Sequence, residues 1–492
     1  MAGRAVKSAS GHEFFSTSTG SDVLIQNPDD KLRNHRMSDE KKLMNRWLVV
    51  VGAIAIQLAL GAIYAWSVFT KKITVAVADG GYGFTASQAG WVFSAGLATF
   101  ALIMVMSGRI MPKVGPRKLA MAGGLVLGAG YILGGFLGSS FIGQLICIGI
   151  IGGAGIGMGY VVPIAVSVKW FPDKKGMIAG LAVAGFGFGA TLWVKLAGGY
   201  GEMLFIPSFD GLLTTTNIFG LPGVQSVFVI YGIAFAVIVF LGSLVMVNPP
   251  EGYKPAGWQP PVAHPSKATG AVELTSAEMV KTPQYWGLLL MFVGSGLAGL
   301  MVIYCIQLFG IDALIASGAV TGDTPENAVT AAGLVAGTAM ALYAILNGLG
   351  RIVWGAVSDK IGRKMALTAM CFFQGIIMLL FFYMGKSEIG LIVGACIIGF
   401  NFGGNFALFP TATADFFGNK SVGKNYGWVF LAYGVAGIAG PQVAGYFKDV
   451  SKGNVDAWMT PFIIAGVACL LAGVLGLVLK APKHAHATAS DS

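Results

Sequence analysis

The stretch ALYAILNGLGRIVWGAVSDKIGRK, residues 341–364, places one arginine inside a run that otherwise has the composition of a membrane helix. Tyr343, Asn347 and Arg351 follow at four-residue intervals, so they share a face of any helix they form. The first acid on that stretch is Asp359, roughly 12 Å further along a helix. A guanidinium is always charged and can hold a carboxylate through two parallel hydrogen bonds, which the compact ammonium of lysine does not reproduce. Burying it at a helix centre costs about 2.5–3.5 kcal/mol on insertion scales. Two readings account for Arg351. It receives a small anion, with Asn347 orienting the guanidinium or touching the anion, or it ties its helix to a carbonyl or acid elsewhere. Other polar side chains in apolar runs are Gln57 and Tyr64, seven apart, then Tyr160 beside Pro163, and Asn401 and Asn405. Each has a plainer role open to it, since tyrosine is common at helix interfaces and asparagine joins helices by hydrogen bonds.

Composition identifies the elements that must hold these residues. The chain of 492 residues is 55% hydrophobic and only 11% charged, the balance of a polytopic membrane protein. Apolar runs long enough to cross about 30 Å of hydrocarbon occur twelve times, near 47–69, 87–107, 118–138, 141–167, 177–199, 224–247, 285–309, 330–356, 365–384, 388–414, 425–447 and 457–479. The short alternating strands of an outer-membrane barrel are not visible. The expected fold is therefore all-α, with twelve transmembrane helices in two six-helix halves at 46–247 and 285–480. Between them lies a polar, proline-rich central loop, 248–284, too polar for the bilayer. Residues 1–45 and 481–492 read as polar tails. Met37 opens MSDEKKLMNRW, a sufficient start before the first span, so residues 1–36 read as a dispensable extension or an over-long start.

The net charge of +10 does not call for nucleic acid once its placement is considered. With both ends cytoplasmic, 25 of the 32 Lys and Arg fall in the tails, the central loop and the inward loops, among them Arg109, Lys113, Arg117, Lys118, Lys169, Lys174 and Lys175. The outward loops hold Lys71, Lys72, Lys386, Lys448 and Lys452, leaving Lys195 and Arg351 within spans. This is the positive-inside bias, and it makes the cell or inner membrane the expected location with lipid headgroups as partners. Cys147, Cys305, Cys371, Cys396 and Cys469 sit in apolar runs without metal-ligand spacing and read as small core residues. All five histidines lie in the tails or central loop, so neither a metal nor a cofactor is expected. No acid falls deep in a span, Asp312 and Asp415 being near helix ends. A proton cycle through a buried carboxylate and the negative chamber of a cationic-drug exporter are both disfavoured. The chain has 73 glycines, and runs such as GIIGGAGIGMG suit helices that pack closely and slide.

The halves repeat. GRIMPKVGPRKLA from Gly108 matches GAVSDKIGRKMAL from Gly355 at an offset of 247 residues, at which Pro163 also falls on Pro410. Parallel repeats of this kind mark the major facilitator architecture, whose substrate site lies between the halves near the midplane. GAVSDKIGRK also resembles the signature Gly-x-x-x-Asp-x-x-Gly-Arg-Lys of that superfamily. There Gly355 would allow close helix approach, and Asp359 would receive Arg363 or Lys364 to latch a cytoplasmic gate. A plain positive-inside turn is the alternative. The first copy carries Pro112 in place of the acid.

Four longer stretches, NRWLVVVGAIAIQLALGAIYAWSVF, KWFPDKKGMIAGLAVAGFGFGA, NPPEGYKPAGWQPP and NGLGRIVWGAVSDKIGRK, resemble the oxalate/formate antiporter family, which includes lactate and pyruvate transporters. The likeness runs from about residue 45 to 480. It implies a secondary carrier that moves small carboxylate anions by alternating access, with Tyr64 and Tyr160 in the binding chamber. It also implies a lysine in the eleventh helix of a dicarboxylate exchanger, where this chain has Tyr433. In the more distantly similar animal monocarboxylate transporters an aspartate stands in place of Asn347. One buried cation suits one negative charge, because a second carboxylate would stay unpaired in low dielectric. Lys195 is a candidate second cation, though its place near the outer end of the fifth span fits snorkelling equally. The expectation is a monomeric carrier of lactate, pyruvate or formate, with oxalate/formate exchange and a non-transporting carboxylate sensor as alternatives. Protons are a candidate co-substrate, coupled through the substrate and Arg351.

Overall fold

The computed structural model describes residues 44–200, 208–221, 223–255, 273–418, 421–451 and 453–480. The N-terminal tail to residue 43 with Met37, residues 256–272 of the central loop, the C-terminal tail, all five histidines, Lys420 and Lys452 lie outside these. Among the described residues, twelve helices are long and apolar enough to cross a membrane. They are α1 (Arg46–Ile73), α2 (Ala86–Val114), α3 (Pro116–Leu137), α4 (Phe141–Trp170), α5 (Gly180–Gly198), α6 (Gly223–Ser243), α7 (Pro283–Ala316), α8 (Pro325–Ile361), α9 (Arg363–Met384), α10 (Glu388–Phe417), α11 (Val422–Val450) and α12 (Val455–Val478).

Several starts are written locally. Thr85 and Gln88 form a reciprocal capping box at α2, while Thr282, Thr324 and Ser387 accept backbone N–H bonds from Tyr285, Asn327 and Gly390. Proline occupies the first helical position of α3, α7 and α8, where its missing N–H costs nothing. Helices α7 and α8 overrun their apolar centres at both ends. Hydropathy marks only the part of a helix facing hydrocarbon, whereas caps set where it starts. Two irregularities interrupt the spans: α1 tightens to a 3₁₀ turn at Gly61–Ala65, and α4 widens to a π-helical run at Leu145–Gly152 after its first turn.

The sequence repeat is also a structural one. Gly115 and Gly362, 247 residues apart, end α2 and α8 with φ of 89° and 87°, a left-handed conformation that glycine adopts without a Cβ penalty. Pro163 and Pro410 lie inside α4 and α10. The packing repeats too: α1 against α5 and α3 against α6 correspond to α7 against α11 and α9 against α12. Two seams join the halves, α2 with α11 and α5 with α8.

These halves approach unevenly. A Cβ on Gly437 of α11 would stand 2.6 Å from Leu97, and one on Gly434 would stand 3.1 Å from Ala101. On Gly427 the nearest atom is 3.7 Å away, at Val105, and on Gly423 nothing lies within 4 Å. The seam therefore widens toward the end that carries the α8–α9 loop. At the other end, polar contacts join the halves. Asp449 of α11 accepts the backbone N–H groups of Ala86 and Ser87 of α2, Tyr304 of α7 donates to the Ala86 carbonyl, and Lys71 of α1 donates to the Val329 carbonyl of α8.

Candidate functional site

Arg351 lies on α8, 3% exposed, ten residues before the helix ends at Ile361, where α8 packs against the early part of α5. The four-residue spacing predicts a shared face, and it brings the Asn347 side-chain oxygen to Nε at 3.2 Å and to Nη2 at 2.9 Å. Nη1 donates across the seam to the Val183 carbonyl of α5 at 2.8 Å. Three of the five guanidinium N–H groups thus meet neutral oxygens, and among the described residues no acid stands within ion-pairing distance. The tie to a carbonyl foreseen for this arginine is present, so the side chain is partly satisfied while its charge is not neutralised.

Aromatic rings surround the charge. The guanidinium carbon is 4.2 Å from the ring centre of Phe406 on α10 and 5.9 Å from that of Phe186 on α5. Phe186 also meets Tyr64 edge-on at 5.1 Å and Tyr160 at 5.3 Å. Phe406 meets Tyr433 at 5.8 Å, and the Tyr433 hydroxyl donates to that of Tyr64 at 3.1 Å. Tyr64, Tyr160, Phe186, Arg351, Phe406 and Tyr433, from α1, α4, α5, α8, α10 and α11, are linked through these contacts across both halves. A cation flanked by ring faces and two hydroxyls is suited to a small anion with one charged end and a short apolar body.

The other candidates take backbone or intra-half partners instead of meeting the guanidinium. Seven residues of unbroken α-helix would put Gln57 and Tyr64 on one face, but the 3₁₀ turn at Gly61–Ala65 intervenes. Gln57 donates to the Tyr160 carbonyl at 3.1 Å, and its own oxygen is buried without a partner. Tyr343 donates to the Gly299 carbonyl of α7, and Asn405 accepts from Ser295 of α7 at 2.8 Å. Asn401 accepts from the indole of Trp354. These three contacts join helices of the second half to one another.

The α8–α9 loop also divides. Arg363 pairs with Asp359 at 2.5 Å, bonds to Ser358, and lies 3.7 Å from Asp415 of α10. Lys364 takes no part in this and donates to the Leu477 carbonyl at the end of α12. All of these partners belong to the second half, so in this state the group staples α8, α9 and α10 rather than joining the halves. Close approach does not occur at Gly355, where a Cβ would have Ala407 at an ordinary 3.7 Å. It occurs at Gly350 and Gly403, where a Cβ would fall 1.9 Å from the Phe400 carbonyl oxygen and 2.0 Å from that of Asn347.

Phe186, Phe406 and the Val183 carbonyl were not foreseen from the sequence. The rings sit in glycine-rich apolar runs where hydropathy treats them as core, and a backbone carbonyl carries no residue signal at all. At the far end of the seam, Lys195 of α5 does not turn outward. Its ammonium donates to Thr338 of α8 at 2.9 Å.

A profile of the Major Facilitator Superfamily matches residues 44–323 and 324–492. The oxalate:formate antiporter of Oxalobacter formigenes is 26% identical over 439 residues, covering 88% of this chain and 91% of that protein. Apicoplast pyruvate carrier 1 of Toxoplasma gondii is 25% identical, over 70% of this chain and 66% of that one. A bacterial homologue of the human lysosomal transporter Spinster, solved in an inward-facing and unoccupied conformation, shares the fold with a TM-score of 0.59 at 16% identity, covering 88% of this chain and 96% of the other. With profile matches over both halves and twelve membrane-crossing helices, the chain is an integral membrane transporter rather than an enzyme, and it belongs to the major facilitator superfamily.

Proposed function

We propose that this transporter carries a small monocarboxylate anion, of the lactate, pyruvate or formate class, by alternating access, with both termini in the cytoplasm. One observation carries the proposal. Arg351 is buried where the halves meet and, among the described residues, meets only neutral oxygens, so an uncompensated positive charge lies among aromatic rings. An anion entering from the α8–α9 loop end displaces the Val183 carbonyl from the guanidinium. Releasing that bond frees α5 from α8, which links substrate binding to movement of the halves. The names of the oxalate:formate antiporter and the pyruvate carrier support the substrate class. Tyr433 in place of a second cation favours one carboxylate over two.

Proteoliposomes test this directly. The purified protein should accumulate radiolabelled lactate, pyruvate or formate, and Arg351→Lys and Arg351→Gln should each lower the rate at least about a hundredfold, since a bidentate charged contact is lost. Wild-type rates in both variants would remove Arg351 from the site.

A further inference from the structure

The α5–α8 seam ends in a second cation. Val183, Gly187, Thr191 and Lys195 recur every four residues and form one face of α5. Each meets α8 in order. The Val183 carbonyl takes Arg351, a Cβ on Gly187 would stand 3.1 Å from the Ala344 carbonyl oxygen, Thr191 donates to the Ala341 carbonyl at 2.9 Å, and Lys195 donates to Thr338 at 2.9 Å. The stripe therefore runs from one charge to the other over twelve residues, about 18 Å of helix.

Lys195 stands three residues from the end of α5, close enough to snorkel to water. It turns inward across the seam instead and is part-buried, with a hydroxyl for its partner. Among the described residues no acid pairs with it. A part-buried ammonium held by one neutral oxygen is only partly compensated in the closed state. That cost has a use if the seam opens at this end. Thr338 then releases the ammonium, which faces the vestibule above Arg351. The α2–α11 seam has the opposite character at the same end, because Asp449 sits there.

We propose that Lys195 is an outer anion subsite that receives the carboxylate from the external face before it descends along the α5–α8 seam to Arg351. This rests on the carboxylate reading above. The closed state hands the ammonium to Thr338, so the same contact that empties the subsite closes the outer seam.

Oriented proteoliposomes provide the test, with whichever of lactate, pyruvate and formate the wild-type protein carries. Lys195→Gln should raise the KM for substrate offered at the outer face about tenfold, with kcat within about twofold, because a charged contact made to substrate arriving from that face is lost. The KM for substrate offered at the inner face should stay at the wild-type value. Lys195→Arg should restore the outer KM. Added salt should raise the outer KM of the wild type and leave that of Lys195→Gln flat. Thr338→Val, which keeps the ammonium but removes the contact that closes the outer seam, should not raise the outer KM. An outer KM unchanged in Lys195→Gln, or raised equally from both faces, would overturn the subsite while leaving Arg351 and the carboxylate reading intact. A wild-type protein that carries no carboxylate would remove both.

Discussion

Asp449 Oδ1 lies 2.7 Å from the backbone nitrogen of Ala86, so the last turn of α11 caps the first turn of α2 in the opposite half. The second carboxylate oxygen takes the next N–H, that of Ser87, at 2.9 Å. A helix N-terminus presents unpaired N–H groups and partial positive charge, and a carboxylate satisfies both. The contact forms only while the halves are together at this end.

Asp449→Asn is therefore expected to favour opening there. Loss of a helix cap costs about 1 kcal/mol, which shifts a two-state equilibrium about fivefold. Ser94 lies buried beneath the contact, within hydrogen-bond reach of Gln442 of α11. A cysteine at position 94 should react with an impermeant maleimide from the outer face about five times faster in the Asp449→Asn background. Equal rates in the two backgrounds would show that the cap does not hold the halves.

Asn347→Asp tests what neutral partners contribute at Arg351. The Asn347 oxygen already accepts from Nε and Nη2, so a carboxylate there would form a buried ion pair and neutralise the site. Carboxylate binding should fall at least about tenfold when the new acid is charged. Protonation removes that competition, so transport by the variant should rise as pH falls, while the wild type lacks this added dependence. A pH series of uptake rates measures it, and parallel profiles for the two proteins would contradict the prediction.

Tyr433→Lys tests the charge count. Tyr433 is fully buried, with its hydroxyl on Tyr64 and its ring against Phe406, within the same ring of contacts as Arg351. A lysine there adds a second cation, and the ratio of oxalate to formate affinity should move toward oxalate by about tenfold. Tyr433→Phe, which removes only the hydroxyl, should leave that ratio unchanged. Competition against labelled formate reads both, and an unchanged ratio in Tyr433→Lys would refute the one-charge argument.

Gly350→Ala and Gly355→Ala should differ in stability although both lie on α8. A Cβ at 350 meets the Phe400 carbonyl oxygen at 1.9 Å, whereas at 355 the nearest atom is 3.7 Å away. Overpacking at the α8–α10 crossing costs about 1–3 kcal/mol, and thermal unfolding in detergent should show a lower Tm for Gly350→Ala alone. The same change displaces the backbone around Asn347 and Arg351, so transport should fall with it.

Much of the architecture was legible in the chain itself. Helix number and the offset of 247 follow from hydropathy and repeated glycines and prolines, because lipid requires every span to be a long apolar helix. Arg351 and its shared face with Asn347 were equally legible, since a charge in such a span is rare and helical spacing is fixed. What surrounds that charge was not. The Val183 carbonyl, Phe186, Phe406 and the Tyr433–Tyr64 bond come from four other helices, and their meeting depends on how the two halves close. The same closure turned Lys195 toward Thr338 and placed Asp449 on α2. Residue types and periodicity determine which helices exist and which way each face points. Which faces meet, and in which state of the transport cycle, is decided by packing between residues far apart in sequence.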